Sequence, residues 1–198
     1  MNLYATKGAI NARLAPLVGR LAAGGVKPDA LTLAAVPLAV AGGAALLLSP
    51  SMPALLLAVP AVAALRLLLN LLDGELARRT GQIHPRGELY NELGDRLADI
   101  ALLAPIAFLP GAQRESVLLG VLVAVLASYI GVTARAAGGE RIYRGVLSKP
   151  GRMLLLSAFC LFVFARGPDG WWAFGPLLLL GAGLTALERL VVAVRRLP

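Results

Sequence analysis

The chain has 198 residues, of which 58% are hydrophobic and only 15% charged, against about 25% charged in an average soluble domain. A soluble fold this short has too little interior to hide so much apolar surface, whereas a bilayer removes the requirement, so the composition excludes an ordinary soluble enzyme. The net charge of +8 does not point to nucleic acid, because the basic residues fall in loops between apolar runs and are not interleaved with aromatics; no nucleic-acid partner is expected.

Residues 6–23 read as an amphipathic helix lying on the membrane surface. Leu14, Leu17, Val18 and Leu21 form its apolar face, with Lys7, Arg13 and Arg20 around it. The segment 1–27 has no apolar core followed by a cleavage site, so it reads as juxtamembrane and not as a signal peptide. Six apolar segments follow, at 31–48, 53–77, 91–109, 115–136, 152–165 and 172–193. Most are near the ~20 residues that a spanning helix needs, the fifth being short. Prolines and glycines punctuate the linkers at 49–53, 110–111, 138–139 and 167–168. Nothing reads as strand. The single Cys160 lies inside an apolar run, which leaves no disulfide framework and no cysteine metal site. The expected fold is an all-α integral membrane protein: six transmembrane helices within 28–198 plus the N-terminal amphipathic surface helix, as one domain over 1–198.

Orientation follows from lysine and arginine. One side of the predicted spans holds Lys7, Arg13, Arg20, Lys27, Arg78, Arg79, Arg86, Arg135, Arg141, Arg144, Lys149, Arg152, Arg189, Arg195 and Arg196; the other holds Arg114 and Arg166. That asymmetry puts both termini and the basic loops in the cytoplasm.

The stretch 65–99, LRLLLNLLDGELARRTGQIHPRGELYNELGDRLAD, carries ionisable groups inside predicted spans, where a functional site is the default reading. Asn70, Asp73 and Ala77 share one helical face, and Asn91, Asp95 and Asp99, four apart, form a stripe on the next helix. The short basic loop 79–86 predicts antiparallel neighbouring helices whose stripes meet near the cytoplasmic surface. Oxygen ligands without His or Cys suit a hard cation, Mg²⁺ or Mn²⁺, and such a cation suits pyrophosphate chemistry. Gly74 and Gly87 leave room for close approach, and Arg78 is placed to meet phosphate.

These residues resemble the motif of the CDP-alcohol phosphatidyltransferases, Asp-x2-Asp-Gly-x2-Ala-Arg-x8-Gly-x3-Asp-x3-Asp. The chain reads Asn70-x2-Asp73-Gly74-x2-Ala77-Arg78-x8-Gly87-x3-Asn91-x3-Asp95, with every spacing kept. The run from Lys27 to Thr32 is similar to the family's entry into its first span. The resemblance implies transfer of a phosphatidyl group from CDP-diacylglycerol to an alcohol acceptor with release of CMP, in phospholipid biosynthesis at the bacterial inner membrane. It implies one or two divalent ions and a homodimer, with membrane lipids around it. Asp95 would be the general base. Asn70, Asp73, Asn91 and Asp95 would hold metal, and Gly74, Ala77, Arg78, Gly87 and Thr32 would line the CDP site.

Two departures stand out. The family's first and third aspartates are Asn70 and Asn91, which keep an oxygen but lose two negative charges and leave the metal count open. Asp99 is either an additional metal ligand or the partner of Arg66, and the ion pair is preferred because a buried arginine needs a counter-charge. The segment from Gly145 to Arg152 resembles the opening of the family's fifth span, which makes Lys149, Arg152 and Arg135 candidates for acceptor binding. The alternatives are a catalytically degenerate CDP-lipid-binding protein of the same fold and a small transporter or structural membrane protein. His84 reads as a solvated loop residue. Glu75, Glu88 and Glu92 read as partners of headgroups or nearby arginines, and Trp171 and Trp172 as interfacial anchors. Gly42, Gly43, Gly181 and Gly183 read as close helix contacts within the chain or at a dimer seam.

Overall fold

The computed structural model describes residues 3–197, with side chains from Arg13 onward; Met1, Asn2, Pro198 and the Lys7 side chain assigned to the surface helix lie outside that range. Among the described residues there are seven α-helices and no strand: α1 (Leu3–Ala23), α2 (Pro28–Leu48), α3 (Ala58–Thr80), α4 (Pro85–Leu103), α5 (Arg114–Ala136), α6 (Lys149–Arg166) and α7 (Phe174–Arg196). Single turns of 3₁₀ helix lead into α3 and α7 and extend α4, at Pro53–Leu57, Pro168–Ala173 and Ala104–Phe108.

The ends follow local chemistry. Pro28 and Pro85 sit in the first turns of α2 and α4, where the missing N–H costs nothing. The left-handed Gly81, at φ 68°, ends α3 by donating its amide to the Ala77 carbonyl. His84 caps α4, its Nδ1 accepting from the Gly87 amide at 3.0 Å, and its Nε2 lies 3.3 Å from Asp29. His84 is exposed in the loop, as read from the sequence, and caps the helix as well. The Cβ that Gly87 lacks would lie 3.1 Å from Asp29 Oδ1 and 3.3 Å from the His84 ring.

Helix α2 is the spine. Both α3 and α4 pack along it, and they do so in preference to packing closely on one another. The two polar stripes of α3 and α4 meet as the spacing predicts, Asn70 reaching Asn91 and Asp95 and Arg66 reaching Asp99, across a backbone separation wider than that of either helix from α2. The contact of α2 with α4 depends on Gly42 and Gly43. A Cβ at Gly43 would lie 2.2 Å from the Ala101 carbonyl oxygen, and one at Gly42 would lie 2.6 Å from Leu102. These glycines therefore serve packing inside one chain. Helices α5 and α7 form a second closely packed pair, and α6 lies against α3. The main apolar core runs beneath the polar residues through Leu46, Leu102, Ile106, Leu156 and Leu178. Trp171 belongs to it, 1% exposed and stacked on Phe159, while Trp172 is exposed. Of the two tryptophans read as interfacial anchors, only Trp172 stands at the surface. The first helix docks on α3 through Val18, which packs with Leu72 and Leu76, helped by Leu14 and Leu21; Leu17 stays exposed.

Among the described residues, four segments are long and apolar enough to cross a membrane: Pro28–Leu48, Pro53–Thr80, Arg114–Ala136 and Pro168–Arg196. This makes the chain a multi-pass membrane protein by length and composition. Helices α4 and α6 fall short of that standard. The reason is physical: α4 carries Glu92, Asp95, Arg96 and Asp99, and α6 begins with Lys149 and Arg152.

Gly43→Ala is expected to destabilise the fold by about 1–3 kcal/mol, the usual scale of overpacking. A Cβ at Gly183 meets nothing within 4 Å. Thermal unfolding in detergent should therefore show a lower midpoint for Gly43→Ala and an unchanged one for Gly183→Ala.

Candidate active site

Arg66 is a charged group with no exposed surface. Its counter-charge is Asp99, whose Oδ1 lies 2.7 Å from Arg66 Nη1. Arg152 of α6 reaches Asp99 from the other side and pairs with Oδ2. One carboxylate is thus clamped by two guanidiniums from two other helices. Arg66 Nη2 also donates to the Asp95 backbone carbonyl at 3.0 Å, and Arg152 Nη1 donates to the Leu147 carbonyl at 3.0 Å. Asp99 was expected either to ligate metal or to pair with Arg66. The geometry gives the pair, and the second guanidinium takes the remaining oxygen. Arg152, expected to face an acceptor, is turned inward and is 3% exposed.

One turn nearer the cytoplasmic side of the predicted topology, Asp95 is held in the same manner by softer groups. Asn70 Nδ2 donates to Asp95 Oδ1 at 2.9 Å and to Asn91 Oδ1 at 3.3 Å, and the Lys149 ammonium pairs with Asp95 Oδ1. The other oxygen, Oδ2, has the Arg96 guanidinium 3.9 Å away. On α3, Asp73 is buried, and its Oδ2 accepts from the Thr32 hydroxyl of α2 at 2.7 Å. Thr32, assigned to the CDP site by resemblance, therefore spends its hydroxyl on orienting Asp73. Gly74 and Ala77 lie along the half-buried edge of α3 above Asp73. Arg78 is exposed there and pairs with Glu75 at 2.6 Å. At Gly87 the space that a side chain would take is already lined by His84 and Asp29.

An outer ring of charge surrounds this centre. Glu92 pairs with Arg96 at 2.6 Å and with Arg141 from the α5–α6 loop. Arg135 is exposed and pairs with Glu88, so the third acceptor candidate stands apart from Lys149 and Arg152. The loop itself is docked by α7. Arg189 donates to three carbonyl oxygens: Ala127 at 2.8 Å, Arg144 at 2.8 Å and Tyr143 at 3.0 Å. Thr185 accepts from the Leu147 amide at 2.8 Å, and Gly145, at φ 144°, lets the backbone lie on Thr185. Sequence reading counted Arg189 only as positive-inside charge. The available signal was the spacing of Thr185 and Arg189, four apart on one face of a helix whose first half is apolar.

The donor set suits a hard cation. Asn70 Oδ1 is buried and has no hydrogen-bond partner, although the same amide's nitrogen makes two bonds. A buried oxygen left in that condition is costly unless something satisfies it. Asn70, Asp73 and Asn91 offer oxygens only, the preference of Mg²⁺ and Mn²⁺. The residues present therefore fit a divalent ion.

A polar cluster of this kind, with α3 and α4 holding Asn70, Asp73, Asn91 and Asp95 at motif spacing, defines a class as well as a geometry. The model of the CDP-alcohol phosphatidyltransferases matches residues 26–188, and the chain belongs to that family. Inner membrane protein YnbA of Escherichia coli (strain K12) is 34% identical over 194 residues, covering 96% of this chain and 94% of that protein. The fold is similar to that of the phosphatidylinositol phosphate synthase PgsA1 of Mycobacterium tuberculosis. The form with manganese and citrate aligns with a TM-score of 0.75 at 22% identity, over 91% of this chain and 88% of that one. The form with CDP-DAG bound aligns with a TM-score of 0.65 at 25% identity, over 92% and 90%.

Asp99→Asn leaves two guanidiniums facing each other across a neutral amide. It is expected to cost about 3–5 kcal/mol, as when one member of a buried pair is removed; heat inactivation of the variant in detergent should be much faster than that of wild type. Arg189→Ala releases the α5–α6 loop, and limited trypsin digestion should cut after Arg141 and Arg144 several times faster than in wild type.

Proposed function

We propose that the chain transfers the phosphatidyl group of CDP-diacylglycerol to an alcohol, with Asp95 as the general base. The acceptor oxygen forms a bond to the lipid-side phosphorus. The bond from that phosphorus to the oxygen shared with CMP breaks, CMP leaves, and the hydroxyl proton passes to Asp95. The observation that carries this reading is the unequal holding of the two Asp95 oxygens. Oδ1 is occupied by Asn70 and Lys149, whereas Oδ2 has the Arg96 guanidinium no nearer than 3.9 Å and is the oxygen to accept a proton. The donor is supported by family membership and by the similarity to a synthase solved with CDP-DAG bound.

Asn70, Asp73 and Asn91 would hold Mg²⁺ or Mn²⁺, which would offset charge on the pyrophosphate. Gly74, Ala77 and Arg78 along the accessible edge of α3 would meet the CDP moiety. Arg135, Lys149 and Arg152 would shape the acceptor side, chiefly through the carboxylates with which they pair. In the same reading the chain is a single domain with six spans and a surface helix. It works as a homodimer in the bacterial inner membrane, with the site and both termini cytoplasmic. The two charged helices α4 and α6 cross with their polar ends at the membrane surface, where a lipid substrate can keep its tails in the bilayer.

Purified protein given CDP-diacylglycerol and a mixed pool of alcohols should release CMP and form a new phospholipid identifiable by mass spectrometry. A chelator should abolish both. Asp95→Asn should lower kcat by about 10²–10⁴-fold, the range for loss of a general base, while CDP binding persists. No CMP release across a broad acceptor panel would instead support a binding protein without turnover.

A further inference from the structure

The two asparagines and Lys149 together say how many cations the site takes. The charged groups gathered on α3, α4 and α6 here are Arg66, Lys149 and Arg152 on one side, and Asp95, Asp99 and the nearby buried Asp73 on the other. Three positive charges face three negative ones, and none of these side chains is more than about a fifth exposed. The adjoining cluster of Glu92 with Arg96 and Arg141 adds a further positive charge.

A divalent ion brought in with the doubly negative pyrophosphate leaves that balance unchanged. A second divalent ion would leave two positive charges without counter-charge in a weakly screened site. With aspartates at 70 and 91 the balance would shift by two negative charges, and two ions would then be matched.

Local geometry agrees. Two carboxylates at 70 and 95 would repel each other and call for a cation between them. Here the Asn70 amide donates to Asp95 Oδ1, and the Lys149 ammonium sits on that same oxygen. The other end of the Asn70 amide, Oδ1, is the buried oxygen without a hydrogen-bond partner. One asparagine thus offers hydrogens toward Asp95 and an oxygen for a single ion. We infer that this chain binds one divalent ion, and that the ammonium of Lys149 stands on Asp95 in place of a second. The inference rests on the metal-dependent transfer proposed above.

The test counts Mn²⁺ on the purified chain in lipid nanodiscs with CDP-diacylglycerol present, by electron paramagnetic resonance and elemental analysis. Wild type should bind one ion per chain, with no spin-coupled manganese pair. The double variant Asn70→Asp, Asn91→Asp should bind two. Lys149→Met should lose turnover roughly 10–100-fold, the scale for loss of a group supporting a metal site. Millimolar Mn²⁺ should restore part of it as a second ion binds, whereas Lys149→Arg should keep one ion. A coupled pair of ions on wild type that turns over with metal overturns this inference alone, as does Lys149→Met that stays at one ion without rescue. Absence of any bound ion together with absence of turnover overturns the proposed function as well.

Discussion

A guanidinium without exposed surface must find its counter-charge inside the protein, and Arg66 finds it in Asp99. Little else at that depth could serve, because the surroundings are the apolar core of Leu102, Met153 and Leu156. Asp99 in turn takes Arg152, so α3, α4 and α6 are tied at one carboxylate. In a low-dielectric interior each of these charges is affordable only while the others stay in place. The clamp therefore fixes the relative positions of α3, α4 and α6, and everything one turn above it inherits that position. Asp95 lies four residues before Asp99, Asn70 four after Arg66 and Lys149 three before Arg152. The second constellation is the first moved up one turn of each helix.

Helix α6 can deliver Lys149 only if the chain before it is held, and this is where α7 enters. The loop before α6 buries Ile142 and packs Leu147 against the main core. It is also fastened through its backbone, by Arg189 and Thr185 and by close approach at Gly131, where a Cβ would lie 2.5 Å from the Ile142 carbonyl oxygen. Backbone fastening tolerates changes of side chain in the loop but not movement of its path. The same loop carries Arg141 to Glu92, so the outer charge ring and the start of α6 depend on a single attachment.

Much of this was legible in the sequence, for definite reasons. Helical period placed Asn70 with Asp73, and Asn91 with Asp95 and Asp99. The rule that a buried arginine needs a partner paired Arg66 with Asp99. What stayed hidden required knowledge of distance across the fold. Arg152 and Lys149 lie more than fifty residues from their carboxylates, and basic residues near a span are ordinarily explained by topology alone. That explanation was strong enough to mask Arg189. Trp171 was misread because a tryptophan beside another at the end of an apolar run looks interfacial, whereas Phe159 and Phe174 supply a buried aromatic nest for it. That α2 packs along both α3 and α4 was not legible either, because the short loop speaks only to those two helices; Gly42 and Gly43 let α2 sit close enough to take both.

The deeper constraint is that a site inside a membrane has to remain folded before its ligands arrive. A cleft with four carboxylates would hold uncompensated negative charge whenever metal was absent, and its empty state would be strained by repulsion between Asp side chains across α3 and α4. Asn70 and Asn91 remove that repulsion, and the Asn70 amide turns it into an attraction by donating to Asp95. Lys149 completes the neutralisation with a cation that cannot diffuse away. The gain is an empty site that is electrostatically balanced. The cost falls on chemistry, because an ammonium on a flexible stem is a weaker and less directional partner for a phosphate than a divalent ion. On this view the two asparagines and the lysine are a single change in how charge is supplied, and none of the three is intelligible without the others.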